Sequence, residues 1–301
     1  MKQPLTAQEL YPAGVAGVTT RRLTLATGVS LRIAETGPPN GDPLVVLHGW
    51  AASLYMYRHP LEHLSKCGFR IIAPDLRGFG LSDKPDSPGA YSLEAYLDDT
   101  RALLDALHLD RASLVGQSMG GGIALHFALR WPARVIGLGL INPTGLAPVS
   151  YLSVLRLAPR EIVSALGRAV VPRLFVEFIL RRMAYCDASL VTERVIDEYW
   201  SPTQLPGFVR AARAALDEFQ WEPVSEEVIL GLTVPTVVIL GSQDRLVPGA
   251  RAAAERLPGA KVHVMDSGHC VHEEHPREVY DAIIDFLREV ESGPRKTAAG
   301  P

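Results

Sequence analysis

A serine set among glycines, in "LVGQSMGGGIAL" at 114–125, is the part of this chain best suited to chemistry. Four glycines (Gly116, Gly120, Gly121, Gly122) fall within seven residues there, although glycine loses more backbone entropy on folding than any other residue. An apolar run precedes Ser118 and an alanine-rich stretch with helical spacing follows it, so the serine sits where a strand turns sharply into a helix. Such a turn holds its apex residue in a strained backbone conformation with the side chain projecting beyond the sheet. Neighbours two positions away must then be very small, which Gly116 and Gly120 satisfy. The helix N-terminus beside the serine favours negative charge on a nearby oxygen. Serine is a weak nucleophile at neutral pH, so acyl transfer also requires a base within hydrogen-bond reach and a carboxylate to orient that base.

Nine histidines compete for the role of base: His48, His59, His63, His108, His126, His263, His269, His272 and His275. His269 lies in "MDSGHC", a glycine-bearing loop that follows the last apolar run, whereas His108 and His126 fall on helical segments where a packed or exposed imidazole is ordinary. Asp244 in "ILGSQDRLVP" occupies the corresponding position after the preceding run. In a parallel sheet the carboxyl ends of the strands share one edge, so Ser118, Asp244 and His269 are expected to converge. Asp266 is the alternative acid. Two backbone N–H groups are expected to hold the developing oxyanion: that of Met119, and that of Trp50 in "PLVVLHGW", a stretch that also reads as a plain turn after a strand. The cluster His269, His272, Glu273, Glu274 and His275 fits neither H-E-x-x-H nor H-x-x-E-H, so no metal is expected. Cys270 reads as a small wall residue rather than a second nucleophile.

The elements that must position these groups are legible in outline. Runs at 43–49, 70–75, 112–117, 134–142, 235–241 and 260–266 are apolar on both faces, as strands of a helix-covered parallel sheet are. "RRLTLATGVSLRIAE" (21–35) reads as an antiparallel hairpin turning at Thr27-Gly28. From 147 to 230 only helical patterns occur, which predicts a helical cap inserted between two strands of a core formed by 15–146 and 231–292. Residues 293–301 read as a disordered tail. Nine arginines against eleven acidic residues in the insertion place its charges on solvated faces rather than in a phosphate clamp. Its aromatics (Tyr151, Phe175, Phe178, Tyr185, Tyr199, Trp200, Phe208, Phe219, Trp221) either line an apolar pocket or simply pack the insertion.

The 301 residues carry a net charge of −3 with 47% hydrophobic and 21% charged residues, which offers no basic footprint for nucleic acid or an anionic membrane. Three cysteines without C-x-x-C spacing argue against a disulfide framework and a zinc knuckle. No signal-peptide core opens the chain and no apolar run is long enough to span a bilayer, so a cytoplasmic protein with a small-molecule partner and no cofactor is expected.

Taken in order, "HGW" (48–50), "DLRGFGLSD" (75–83), "GQSMGG" (116–121), "GSQDRLVP" (241–248) and "GHCVHEEHP" (268–276) resemble the α/β-hydrolase superfamily, in its branch with a helical cap after the sixth strand. The resemblance implies an α/β-hydrolase fold with about eight strands, Ser118 as nucleophile, Asp244 and His269 as its triad partners, and Trp50 and Met119 as oxyanion amides. Asp75, Arg77, Gly78 and Gly80 match a segment that is structural at the site entrance. Haloalkane dehalogenases and epoxide hydrolases of this branch carry an aspartate where Ser118 stands, which counts against their chemistry here. Carbon–carbon hydrolases of ring-cleavage products share S-M-G-G, but their oxyanion loop is richer in glycine and a tryptophan often stands where this chain has Cys270. Cofactor-free perhydrolases use the same triad. The expected function is hydrolysis of small to medium apolar esters or lactones. The alternatives are cleavage of a carbon–carbon bond in a vinylogous diketone, and a ligand-binding or non-hydrolytic biosynthetic member of the fold.

Overall fold

Alternation with period two decides how the apolar runs are used. In β3 (Asp42–Leu47) Leu44 and Val46 face one way and Val45 and Leu47 the other, and all four are buried. In β7 (Thr236–Gly241) Val237 and Ile239 join the first face while Val238 and Leu240 join the second. Each strand therefore feeds two cores, which a sheet covered on both sides requires. The computed structural model describes residues 2–63, 67–149 and 171–292.

Eight strands form one sheet in the order β1-β2-β4-β3-β5-β6-β7-β8. The others are β1 (Thr19–Thr24), β2 (Ser30–Thr36), β4 (Phe69–Pro74), β5 (Ala112–Gln117), β6 (Val135–Ile141) and β8 (Lys261–Met265). β1 and β2 make the predicted hairpin, with Gly28 at φ +82° in its turn, and β2 pairs antiparallel with β4. The remaining pairings are parallel. This is the expected α/β-hydrolase fold. One expectation fails: β8 is not buried on both faces, and Lys261, His263 and Val264 are exposed. It is the edge strand, so only β7 flanks it.

On one face lie α2 (Leu93–Ala106) and α3 (Met119–Arg130); on the other lie α1 (Arg58–His63) and the last helix, which runs from Pro276 to Ser292 and buries Val279, Ile283, Ile284 and Leu287. Between β6 and β7 the described chain is helical: α4 (Arg173–Ile179), a π-helical turn over Leu180–Ala184, α5 (Glu193–Trp200), α6 (Phe208–Glu218) and α7 (Glu226–Leu230). Thr192 and Ser225 cap α5 and α7 by accepting from the N–H groups of Val195 and Val228. The inner face of α6 (Phe208, Ala211, Ala212, Ala215) joins one core, whereas Val195 and Ile196 of α5 join the other. Arg173 pairs with Asp197 at 2.8 Å and Arg181 with Glu177 at 2.9 Å, pairs within the insertion rather than a clamp. Tyr151 and the 293–301 tail lie outside the described residues. No helix among those described is long and apolar enough to cross a membrane. After β7 follow α8 (Ala250–Ala254), then α9 (Val271–Glu274) and the final helix, α10.

His272 of α9 is fully buried with its ring tilted against Tyr57, and among the described residues neither ring nitrogen has a hydrogen-bond partner. Burial lowers its pKa from 6.5 to about 3. The unfolded chain therefore takes up a proton that the folded chain refuses between those values, so His272 stabilises the fold fully above pH 6.5 and progressively less as pH falls towards 3. Urea unfolding at a series of pH values should show this as a loss approaching about 1.4 kcal/mol per pH unit in that window. His272→Leu should flatten that slope whatever it does to stability at neutral pH.

Candidate active site

Ser118 caps the N-terminus of α3 directly after β5, with φ +51° and ψ −118°. Surrounding backbone holds this strained conformation. The Ser118 N–H donates to the Ile141 carbonyl at 3.0 Å, continuing the ladder to β6, and its own carbonyl accepts from Gly122 and Thr144, each at 3.0 Å. The neighbouring glycines are steric requirements. A Cβ at Gly120 would stand 2.0 Å from the Leu47 carbonyl oxygen, and one at Gly116 would stand 2.2 Å from that of Gly120. The sequence reading explained only these two. The structure also accounts for Gly121, where a Cβ would lie 2.7 Å from Pro143 Cβ, and Gly122, where one would lie 2.2 Å from Thr144 Oγ1.

The loop after β3 reaches the serine in the same way: a Cβ on Gly49 would lie 3.3 Å from Ser118 Cβ. His48, fully buried, sets this loop. Its Nε2 accepts from the Leu76 N–H at 2.9 Å, which assigns the proton to Nδ1 and lets that nitrogen donate to the Gly49 carbonyl at 2.8 Å. Burial pushes the His48 pKa down and keeps the ring neutral. Trp50 follows, half-buried, and its indole N–H donates to the Ala212 carbonyl of α6 at 3.0 Å, joining this loop to the insertion. Met119, the first residue of α3, is wholly buried. Asp75 belongs to the same scaffold, accepting from Leu54 and Leu81 N–H groups at 2.8 Å each; Arg77 pairs with Asp99 through two 2.6 Å bonds.

His269 Nδ1 lies 2.8 Å from Asp244 Oδ2, with both residues buried. Asp244 Oδ1 accepts from the N–H groups of Leu246 and Val247 at 2.8 and 3.1 Å. Burial opposes charge on this carboxyl, but His269 and the two amides outweigh it and the pKa is lowered. Asp266 instead accepts from Gln243 Nε2 at 2.6 Å and from Ser242 Oγ at 3.3 Å, so the carboxylate on His269 is that of Asp244.

Two side chains that sequence reasoning passed over hold the His269 backbone. Asn142, at the end of β6 with φ +39°, donates from Nδ2 to the carbonyls of His269 (2.9 Å) and Gly268 (3.1 Å), while its Oδ1 accepts from Gly241 N–H. Gln117, immediately before the serine, donates to the His269 carbonyl at 3.2 Å. The available signal was positional, since both polar residues end strands whose interiors are apolar. Cys270 is buried in one of the cores, and burial pushes its thiol well above its ordinary pKa. Glu273 is engaged by Arg58 and by the Tyr199 hydroxyl, and no cluster of three or more metal-ligating side chains occurs among the described residues. The insertion aromatics divide: Tyr185, Phe208, Phe219 and Trp221 are packed in the cores, Trp200 is buried with its indole N–H on the Val171 carbonyl, Tyr199 borders one core, and Phe175 and Phe178 are exposed.

Residues 42–276 match the model of the alpha/beta hydrolase fold family, and the chain belongs to that family. It is 29% identical to 2-hydroxymuconate semialdehyde hydrolase of a Pseudomonas species over 283 residues, covering 90% of this chain and 95% of that protein. The solved structure of a meta-cleavage product hydrolase from Pseudomonas fluorescens superimposes with a TM-score of 0.76 at 26% identity, covering 89% and 97% of the two chains. A thermophilic esterase from Thermogutta terrifontis superimposes with a TM-score of 0.74 at 29% identity, covering 90% and 99%. Family and relatives together make this chain a hydrolase.

A Gly120→Ala variant tests the turn, because the added methyl meets backbone rather than a movable side chain. It should lose about 1–3 kcal/mol or more in chemical denaturation. Gly231→Ala, at a helix end with φ −79°, should change stability by less than about 0.5 kcal/mol.

Proposed function

We propose that the chain is a serine hydrolase of small to medium apolar carboxylic esters or lactones, working through an acyl-enzyme on Ser118. The observation that carries this is the Asp244–His269 pair at 2.8 Å, on a loop held by Gln117 and Asn142 at the carboxyl edge where Ser118 stands. Asp244 accepts the Nδ1 proton, which leaves Nε2 as the acceptor for the Ser118 hydroxyl proton. Ser118 Oγ attacks the carbonyl, and the N–H groups of Met119 and Trp50 receive the oxyanion at the positive end of α3. His269 returns the proton to the leaving alcohol, then takes one from water in deacylation. Residues 147–230 act as a cap over the 15–146 and 231–292 core, selecting substrate and limiting bulk water. An apolar substrate is consistent with arginines already paired to carboxylates: Arg58 with Glu273, Arg77 with Asp99, and Arg173 with Asp197.

The second reading, hydrolysis of a carbon–carbon bond in a ring-cleavage product, is favoured by the likeness to the semialdehyde and meta-cleavage hydrolases. Cys270, where those enzymes often place tryptophan, supports the ester reading.

A fluorophosphonate probe should label the wild type, and Ser118→Ala should abolish labelling. Asp244→Asn should retain the fold and lose roughly 10⁴-fold in kcat. Turnover of short aryl esters well above that of a dienoate diketone acid supports the first reading, and the reverse order supports the second. An unlabelled wild type removes both.

A further inference from the structure

The loop that carries His269 is fastened from three directions, and one of them involves a residue with no assigned part in the site. Glu274, the last residue of α9, directs one carboxylate oxygen back at this loop: Oε1 accepts from Ser267 Oγ at 2.7 Å and from the Gly268 N–H at 2.8 Å. The other oxygen faces the helical insertion: Oε2 accepts from the N–H groups of Cys186 at 2.9 Å and Asp187 at 2.8 Å. The two chain segments it joins are in backbone contact. Cys270 N–H donates to the Ala184 carbonyl at 3.0 Å, and a Cβ on Gly268 would stand 2.7 Å from that carbonyl oxygen and 3.0 Å from Cys186 N. So the residues on either side of His269 rest on 184–187, and Glu274 holds 184–187 in place.

We propose that Glu274 is a positioning residue that fixes the His269 imidazole for proton transfer by clamping its loop to segment 184–187 of the insertion; this rests on the reading of His269 as the base. Four donors converge on the one carboxylate, two on each oxygen. Glutamine has the same shape but a single oxygen, so its NH₂ must oppose one of the two donor pairs. Ser267 is wholly buried and Gly268 is buried, so water is a poor substitute for the lost acceptor at the His269 loop. Gln117 and Asn142 hold the His269 carbonyl, Asn142 also holds that of Gly268, and the Gln243 N–H holds that of Ser267, but all of these bind carbonyls and none replaces Glu274 as the acceptor for the Ser267 hydroxyl and the Gly268 N–H. Segment 184–187 is thereby a fixed part of the base apparatus, whatever substrate the rest of the insertion selects.

The test uses the full chain, wild type against Glu274→Gln and Ser267→Ala. In Glu274→Gln the fluorophosphonate labelling rate and kcat should fall about 10- to 100-fold, the scale of a misplaced catalytic group, with KM little changed and the titrated fraction of active sites unchanged. The loss should be greater on ethyl esters, whose leaving group needs a proton from His269, than on p-nitrophenyl esters of the same acid. Ser267→Ala, which removes one of the four donors, should shift the same quantities in the same direction by less, and it serves where Glu274→Gln fails to fold. Labelling of Glu274→Gln at the wild-type rate overturns the inference. So does a loss that is equal on both leaving groups or that resides wholly in the active fraction. Those results arise with a labelled wild type and leave the serine-hydrolase reading standing, whereas an unlabelled wild type overturns that reading and this inference with it.

Discussion

A single residue, Ser118, separates the last position of β5 from the first of α3, and it does so at φ +51°, where an ordinary side chain is strained. That strain persists because the surroundings over-determine it. Ser118 bonds to β6 through its N–H and to Gly122 and Thr144 through its carbonyl, while the backbone of β3 closes in at Gly120. Backbone of three strands and the start of a helix thus crowd together around Ser118. The Gly49 loop approaches Ser118 directly, and the residues on either side of this junction, Gln117 at the end of β5 and Asn142 at the end of β6, hold the His269 loop. A side chain at Gly116 or Gly120 would push these elements apart, so these glycines serve both the packing of the sheet and the turn that holds Ser118.

Burial governs the electrostatics of the region. His48 and His272 are kept neutral, and the Cys270 thiol is kept protonated, because none has a charge partner strong enough to offset desolvation. Asp244 is the contrasting case: an imidazole and two backbone amides more than compensate for its burial. Glu273, wholly buried, is likewise held below the ordinary carboxylate range despite burial, by Arg58 and the Tyr199 hydroxyl. One short helix, α9, therefore presents a neutral imidazole and two satisfied carboxylates side by side just beyond His269. Its two carboxylates fasten the insertion to the core.

The frame is shared among relatives with different chemistry. An esterase and a meta-cleavage product hydrolase superimpose on it almost equally well, with TM-scores of 0.74 and 0.76. Fold does not fix function, and discrimination must lie in the side chains that meet the substrate and in the insertion between β6 and β7. Here the loop after β3 is tied to α6 through the Trp50 indole and the His269 loop is tied to 184–187, so the insertion is anchored to both halves of the site. Changes in the insertion can therefore alter the precision of the chemistry as well as the shape of the pocket.

The sequence by itself determined what depends on neighbours along the chain. Runs apolar on both faces marked the strands, with β8 the one whose burial they misjudged, Thr27-Gly28 marked a hairpin, and glycines two residues either side of Ser118 marked a strand-to-helix turn, because backbone conformation and side-chain alternation are local properties. The order of the motifs was legible for the same reason. Only the tertiary structure decided which carboxylate serves His269: Asp266 is three residues from the imidazole and turns to Gln243, whereas Asp244, twenty-five residues away, lies on it. It also decided that β8 is an edge, that Gly121 and Gly122 are demanded by Pro143 and Thr144, that Asn142 and Gln117 hold the His269 loop, and that most insertion aromatics pack rather than face solvent. Those facts arise from strand register and from close approach between segments remote in the chain, and distance through space has no signature in the spacing of residues along it.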